Sequence, residues 1–591
     1  RLRAYAPVGG HEELLPYLVR RLLENGANTS FVHALLDERV PADLVVADPI
    51  AAVAAHPARH ARIALPADIY GPGRRNPLGR DYAMVETRAL AARAISLTAG
   101  ERETSGAIVE GRLIATTPEP VTSPSDRGRV IGYASTATGA DIDRAVAAAR
   151  KAQPGWNRLG GAGRAGVLRA MGDALEAEMD PLVALLALEA GKTLNDGVAE
   201  VREAVDFCRY YADLAERQFG VPSILPGPVG EVNQLELAGR GVFACISPWN
   251  FPLAIFTGQI AAALAAGNAV LAKPAEQTPL IAARAVRLFH KAGLDPALLA
   301  LLSGDGAGVG GAIVNHPGID GVAFTGGTET AWAINRQLAA RNGPIIPFIA
   351  ETGGLNGMFV DTTALKEQVV DDVILSAFGS AGQRCSALRL LFVPQDSAED
   401  LIATIKGAME ALVIGDPADP STDVGPVIDA EAKAALVAHR ARLERDATIL
   451  HECLAPGGGD FFAPLMAEIP AADFLEREVF GPILHVVRYD PAELAKVAGK
   501  LAARGYGLTL GIHSRIERFA EEVRALVPAG NVYVNRSIIG AVVGVQPFGG
   551  EGLSGTGPKA GGPHALLRYA TERALSVNIT AQGGDPALLN L

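Results

Sequence analysis

The sequence predicts an α/β protein whose mostly parallel sheets are covered by helices on both faces. From about residue 241, apolar strand-like runs alternate with helical patterns: GVFACIS, NAVLAKP, ALLSGDG, GVAFTG, IIPFIAE, LRLLFVP, ILHVVRY, GLTLGIH and NVYVNR. Strands buried on both faces read as continuous apolar runs, and parallel neighbours need crossover helices. The 591 residues exceed what one core usually organises, so two or more domains are expected. The 66 Gly and 38 Pro supply the turns and close backbone approaches of dinucleotide-binding folds.

The elements follow in order. Residues 11–25 (HEELLPYLVRRLLEN) place apolar residues at helical spacing, and Gly26 is a C-cap candidate. Turn residues dominate 56–85, which reads as a linker or extended arm. His56 and His60 within it lack further ligands and read as a solvated pair. From about 141, DIDRAVAAARKA, RAGVLRAMGDALEAEMDPLVALLALEAG and DGVAEVREAVDFCRYYADLAERQFG predict three long helices. No charge occurs between Arg240 and Lys273, a length that invites a membrane reading. Pro248, Asn250, Pro252, Gln259 and Asn268 interrupt it, so it reads as buried strand, loop and buried helix, with no membrane span.

Composition narrows the function classes. The formal net charge of -12 argues against a nucleic-acid partner, because phosphate binding needs clustered Lys and Arg. Cys208, Cys245, Cys385 and Cys453 form no CxxC pair and lie near no His at ligand spacing. That pattern fits a reducing, cytoplasmic compartment and no metal. No secretory leader pattern is present, and the start at Arg1 without Met reads as a fragment of something longer.

Two Gly-bearing stretches are false leads. EAGKT (189–193) has Leu186 where a P-loop needs Gly, and SGDGAGVGG (303–311), read from Gly304, has Val309 where GxGxxG needs Gly and is weak evidence alone. Cys385 is the stronger candidate. It sits in FGSAGQRCSALR, where Gly379, Ser380, Ala381 and Gly382 leave room for a substrate. Arg384 offers a neighbouring cation to lower the thiol pKa. A buried structural Cys is the commoner case, but these polar, small-residue surroundings argue against it. Glu351, in IAETGG at a strand end, suits a general base, against the plain reading of a turn carboxylate. Asn250, in ISPWNFPL, suits an oxyanion donor, although alone a turn-forming Asn would be the better reading.

The motifs ISPWNFP, LAKPAEQTP, FTGGTET, ETGG, GQRCSA, EVFGP and PFGG occur in this order. Together they resemble the aldehyde dehydrogenase superfamily over roughly residues 90–580. The resemblance implies an aldehyde dehydrogenase fold: a Rossmann-like cofactor domain, an α/β catalytic domain and a β-hairpin oligomerisation element. It implies Cys385 as nucleophile, Glu351 as base and Asn250 in the oxyanion hole. For the cofactor, it implies Lys273 and Glu276 at the adenosine ribose, with Ile246, Ser247, Pro248, Trp249 and Gly306 in the cleft. Thr325, Gly326 and Gly327 fall at the pyrophosphate turn, and Thr352, Glu478 and Phe480 on the nicotinamide side. A carboxylate at Glu276 accepts from a ribose diol and repels a 2′-phosphate, which favours NAD. Two positions depart from the family: Gly327 stands where Ser is common, and ETGGL where ELGGK is common, leaving Thr352 and Leu355 without the usual partners.

The stretch 535–569 (NRSIIGAVVGVQPFGGEGLSGTGPKAGGPHALLRY) is similar to the branch acting on L-glutamate γ-semialdehyde, the open form of pyrroline-5-carboxylate. By that resemblance Ser386, Gly540 and Ala541 hold the α-carboxylate, Phe251 and Phe548 flank the aliphatic part, and Arg384 joins the substrate site. Residues 3–32 resemble the last helix region of a flavin-dependent proline dehydrogenase barrel, matching Tyr5, Tyr17, Arg20 and Arg21. The order of the two, with the closing TAQGGDPALLNL, resembles the bifunctional proline utilisation A family. FAD would then belong to the part of the barrel outside this chain, and no proline oxidation is expected.

The implied layout is a proline dehydrogenase remnant (1–55), a linker (56–89) and an NAD-binding domain (90–346, with 536–569 returning and a hairpin at 222–238). A catalytic domain (347–535) and an oligomerisation strand with tail (570–591) complete it. A homodimer acting on a small molecule is expected. Three alternatives stand beside it: another short semialdehyde such as succinate semialdehyde, a non-catalytic cofactor-binding protein, and a DNA-binding regulator, which the acidic charge disfavours.

Overall fold

The computed structural model describes residues 11–26, 31–55, 62–71, 73–114, 116–578 and 583. Tyr5, His56, His60 and, Gly583 apart, the segment 580–591 lie outside the described residues. The chain divides into two units, Arg1–Ile69 and Tyr70–Leu591.

The first unit carries helices His11–Gly26, Phe31–Leu36, Ala42–Val45 and Pro49–Ala55. The expected first helix is present, with the Arg21 guanidinium over the Tyr17 ring at 5.3 Å. Among the residues up to Ile69 whose side chains are described, none is buried.

In the second unit the expected alternation becomes two seven-stranded sheets. The first runs in the order Phe348–Glu351, Gly321–Thr325, Val242–Ile246, Ala269–Lys273, Leu299–Leu301, Ala107–Val109, Arg112–Ile114. Its first five strands are mutually parallel, and the last two are added antiparallel. The second sheet runs Thr448–Glu452, Leu465–Glu468, Ile483–Tyr489, Leu390–Pro394, Gly357–Val360, Thr509–His513, Asn531–Val534. Each sheet has its own apolar core. The charge-free stretch is a strand, a loop and the buried helix Ala254–Ala265; no described helix is long and apolar enough to cross a membrane.

Three expectations need correction. The middle one of the three long helices is two, Gly160–Ala177 and Met179–Ala190, broken at Glu178. Pro181 has no N–H to give the preceding turn, so the chain restarts there. Phe348–Glu351 is an edge strand of the first sheet, so the change of domain falls after Glu351 and not at 346/347. The expected linker is not free along its length: Arg74, Asn76 and Tyr82 are buried, and helix Val85–Glu101 begins inside it. Strands Ser223–Leu225 and Glu231–Gly239 form a hairpin, and Ala570–Asn578 pairs with the second of them along its full length to make a three-stranded sheet.

Parallel pairing aligns the strand ends. Ile246 pairs with Lys273 and Phe324, and Thr325 pairs with Glu351. The C-terminal ends of neighbouring parallel strands thus open at one edge, where doubly wound sheets bind ligands.

Candidate active site

Cys385 lies between helix Lys366–Phe378 and strand Leu390–Pro394. The turn before it is strained: Ser380 and Ala381 have φ of 57° and 53°, costly for residues with a Cβ. Gly382, at φ 65°, is the one position there that must lack a side chain, because a Cβ would meet the Gly481 carbonyl oxygen at 2.2 Å. Arg389, fully buried, pins this loop. It donates to the carbonyls of Gly382 (2.7 Å) and Arg384 (3.0 Å) and to Glu478 Oε1 (3.0 Å).

The thiol of Cys385 is pushed up to about 12, first by burial and then by the carboxylates Glu478 and Glu351. The Ser386 N–H and Arg389 oppose that shift. This corrects the role expected of Arg384. Its guanidinium is held by Asp196 Oδ1 at 2.5 Å and stacks near Phe251 at 5.4 Å, so its charge is already compensated.

Glu351 ends its strand and accepts from the Gly550 N–H at 3.1 Å through Oε2. Oε1 has no hydrogen-bond partner among the described residues. Burial pushes this carboxyl up to about 8, with the Gly550 N–H and Lys559 opposing. Gly549 and Gly555 leave it room: a Cβ at either would lie 3.1 or 2.8 Å from Glu351 Oε1 or Oε2.

One cavity brings together Cys385, Glu351, Thr352, Phe251, Arg384, Ser386, Gly540, Ala541 and Phe548. All six residues expected around the substrate are in its wall. Asn250 is not in that wall; it is buried, and its Nδ2 donates to the Gln383 carbonyl at 3.1 Å, two residues before Cys385.

A second cleft, at the strand ends, is lined by Ile246, Ser247, Pro248, Trp249, Lys273, Glu276, Gly306, Thr325, Gly326 and Gly327. Buried Lys273 meets half-exposed Glu276 at 3.1 Å. The cleft ends at helix Thr328–Ala339, whose first N–H groups are free to face an anion. A Cβ at Gly327 would meet nothing within 4 Å, so this departure from the family leaves open space. Phe480 lies beside this cleft, edge-on to Trp249 at 5.4 Å, and Glu478, two residues before it, is held by Arg389 at 3.0 Å. Gly353 is obligatory next to Glu478: a Cβ would sit 1.8 Å from Oε2. Thr352 Oγ1 donates to the Leu553 carbonyl (2.5 Å) and Leu355 is buried in the second core, which accounts for both unassigned positions. The donor set fits NAD: a carboxylate beside a buried ammonium for a diol, then a helix N-terminus for a pyrophosphate. No cluster of metal-ligating side chains occurs among the described residues.

Sequence reasoning missed Glu203, Lys192 and Arg389. Glu203 lines the Cys385 cavity, and burial and Glu200 push its carboxyl up to about 7. Lys192 pairs with Glu200 at 2.8 Å and lies over the Phe251 ring at 4.1 Å. A signal was present: Asp196, Glu200, Glu203 and Asp206 recur at helical spacing among Val198, Val201, Ala204 and Val205, placing acids on a face that must be buried.

The aldehyde dehydrogenase family model matches residues 114–575, and the proline dehydrogenase model matches residues 1–34. The bifunctional protein PutA of Klebsiella aerogenes is 45% identical over 99% of this chain and 45% of that protein. A mutant of Bradyrhizobium japonicum proline utilization A superposes with a TM-score of 0.87 at 51% identity, over 98% of this chain and 56% of that one. The chain thus spans about half the length of these bifunctional relatives. A 1-pyrroline-5-carboxylate dehydrogenase from Thermus with bound NAD superposes with a TM-score of 0.81 at 33% identity, over 85% of this chain and 99% of that one.

Proposed function

The chain belongs to the aldehyde dehydrogenase family, and from that premise we propose that it oxidises L-glutamate γ-semialdehyde to L-glutamate with NAD. The observation that carries this is one cavity holding Cys385, Glu351, Ser386, the Gly540–Ala541 turn and Glu203. A nucleophile and a base sit with a turn of backbone N–H groups for a carboxylate and an acid for an ammonium. The NAD-bound relative supports the cofactor, and its name supports the substrate.

Sγ of Cys385 adds to the aldehyde carbon as its proton passes to the Glu351 carboxylate, which hands it on to solvent before the hydrolytic step. The carbonyl oxygen takes up negative charge, faced by the Cys385 N–H and the second N–H of the Asn250 amide. Bound in the strand-end cleft, NAD supplies the acceptor for the hydride that leaves this carbon. Lys273 and Glu276 would hold its adenosine ribose, Gly326 and Gly327 its pyrophosphate, and Glu478 its nicotinamide ribose. The carbon is then a thioester on Cys385. Glu351, its Oε1 free, takes a proton from water as the water oxygen bonds to that carbon. The C–S bond breaks and glutamate leaves.

We further assign a homodimer, supported by the exposed outer face of edge strand Ala570–Asn578, and a reducing, cytoplasmic setting, supported by four free cysteines. FAD is assigned no residue in this chain.

The test is NADH formation with pyrroline-5-carboxylate and with succinate semialdehyde, using Cys385→Ala as control. The proposal expects turnover to favour the first substrate strongly and to vanish in the variant while NADH binding persists. Equal rates on both substrates would sink the substrate reading, and turnover by the variant would sink the thioester.

A further inference from the structure

We propose that Arg74 is a positioning residue for the substrate's amino-acid head group. It acts through the turn at 540–546, and the proposal rests on the reading that Gly540 and Ala541 hold the α-carboxylate. Arg74 belongs to the arm that precedes helix Val85–Glu101, a segment that neither sheet contains. It is only 8% exposed. Its guanidinium is sandwiched between the rings of Tyr70 (3.9 Å) and Tyr210 (5.3 Å). Its Nη1 donates to the Val543 carbonyl at 2.9 Å, and its Nε lies 3.8 Å from Asp206 Oδ1.

Val543 follows Ala541 by two residues and lines the cavity of Cys385 itself. The turn carrying it is flanked by two glycines. Gly540 and Gly544 are both left-handed, at φ 75° and 74°, and glycine leaves many other states open to the backbone. The turn's other bonds lie on its C-terminal side: the Val542 N–H to Gln546 Oε1 (3.0 Å), the Val545 and Gln546 N–H groups to the Val542 carbonyl (3.0 and 2.8 Å), and the Gly544 N–H to the Gly561 carbonyl (2.9 Å). Backbone N–H groups bind an anion well only when they are held in place beforehand. A planar guanidinium locked between two rings is a rigid donor, so its bond to Val543 fixes the turn at its centre.

The fit is mutual. A Cβ on Gly544 would lie 2.7 Å from Arg74 Nη1 and 2.8 Å from the Tyr210 ring. Position 544 is therefore glycine both for its φ and because the arginine fills the space. Helix Leu194–Phe219 joins the two ends of the device. It presents Glu203 to the cavity, while Asp206 and Tyr210 on the same helix hold Arg74. The head group would thus meet an acid and an anchored turn referenced to one rigid element.

The test uses the full 591-residue chain. Kinetics are measured at saturating NAD with pyrroline-5-carboxylate and with propanal, which lacks a head group, for wild type, Arg74→Met, Arg74→Lys and Gly544→Ala. Losing a hydrogen bond from a charged donor corresponds to roughly a tenfold loss. Arg74→Met should therefore raise KM for pyrroline-5-carboxylate by about that factor, with kcat and all propanal parameters little changed. Arg74→Lys should recover part of the loss, and Gly544→Ala should reproduce it. A merely structural arginine would lower both substrates together. Equal losses on the two substrates, or no change on either, overturn the proposal. Should Arg74→Met not yield folded protein, the same criteria apply to the other two variants. A wild type that does not prefer pyrroline-5-carboxylate over propanal instead defeats the substrate reading, and this proposal falls with it.

Discussion

Gly353→Ala is the cleanest perturbation the structure offers of the cofactor side. The added Cβ would stand 1.8 Å from Glu478 Oε2, where ordinary contact begins at 3.4 Å. The backbone at 353 is not left-handed, so alanine fits it and the clash is the main disturbance. Glu478 must retreat by well over an ångström, which breaks its 3.0 Å bond to Arg389 and moves it away from the position assigned to the nicotinamide ribose. Hydrogen bonds to a charged group contribute about 1.5–3 kcal/mol, and each 1.36 kcal/mol is a factor of ten. KM for NAD should therefore rise roughly 10- to 150-fold. KM for the aldehyde should change much less. The assay is initial-rate NADH formation, with NADH binding followed by fluorescence. Glu478→Gln should produce part of the same loss, and combining it with Gly353→Ala should cost less than the two effects added, because both act on one carboxylate. A KM for NAD that stays near the wild-type value in Gly353→Ala would refute the placement of Glu478 against the cofactor.

The remaining predictions concern the acids of the cavity. If thioester hydrolysis limits turnover, kcat should rise with pH about a midpoint near 8, because burial raises Glu351 and only its ionised form accepts the water proton. Glu351→Gln should remove that inflection and let the acyl-enzyme accumulate after a burst of NADH; an unchanged pH profile in the variant would exclude Glu351 as the base. Glu203→Gln should raise KM for pyrroline-5-carboxylate by about 10-fold, as expected for a lost charge-assisted bond, and leave propanal unaffected. Because burial lifts Glu203 to about 7, its binding contribution should be present above that pH and fade below it.

Much of the site was readable because its chemistry is written in short segments. Cys385, Glu351 and Asn250 each sit in a motif whose small or rigid neighbours announce a task. Six substrate positions and the strand-end cofactor positions converge on two neighbouring hollows. Glu203 was hidden because one acid in a helix of 26 residues reads as surface until the partners of that helix are known. Arg389 was hidden because its bonds go to backbone carbonyls and to Glu478, 89 residues away, and neither leaves a mark in the local sequence. The edge strand Phe348–Glu351 was misplaced because a boundary is decided by which sheet accepts a strand's hydrogen bonds.

Cys385 shows the division most clearly. The sequence by itself determined the α/β alternation and pointed to the candidate nucleophile and its candidate partners, since apolar period and motif composition are local properties. Only the tertiary structure decided the electrostatics. Arg384, adjacent in sequence, spends its charge on Asp196, and the thiol instead faces Glu351 and Glu478 from distant segments. Charge interaction depends on distance through space and on burial, and neither is encoded by adjacency along the chain.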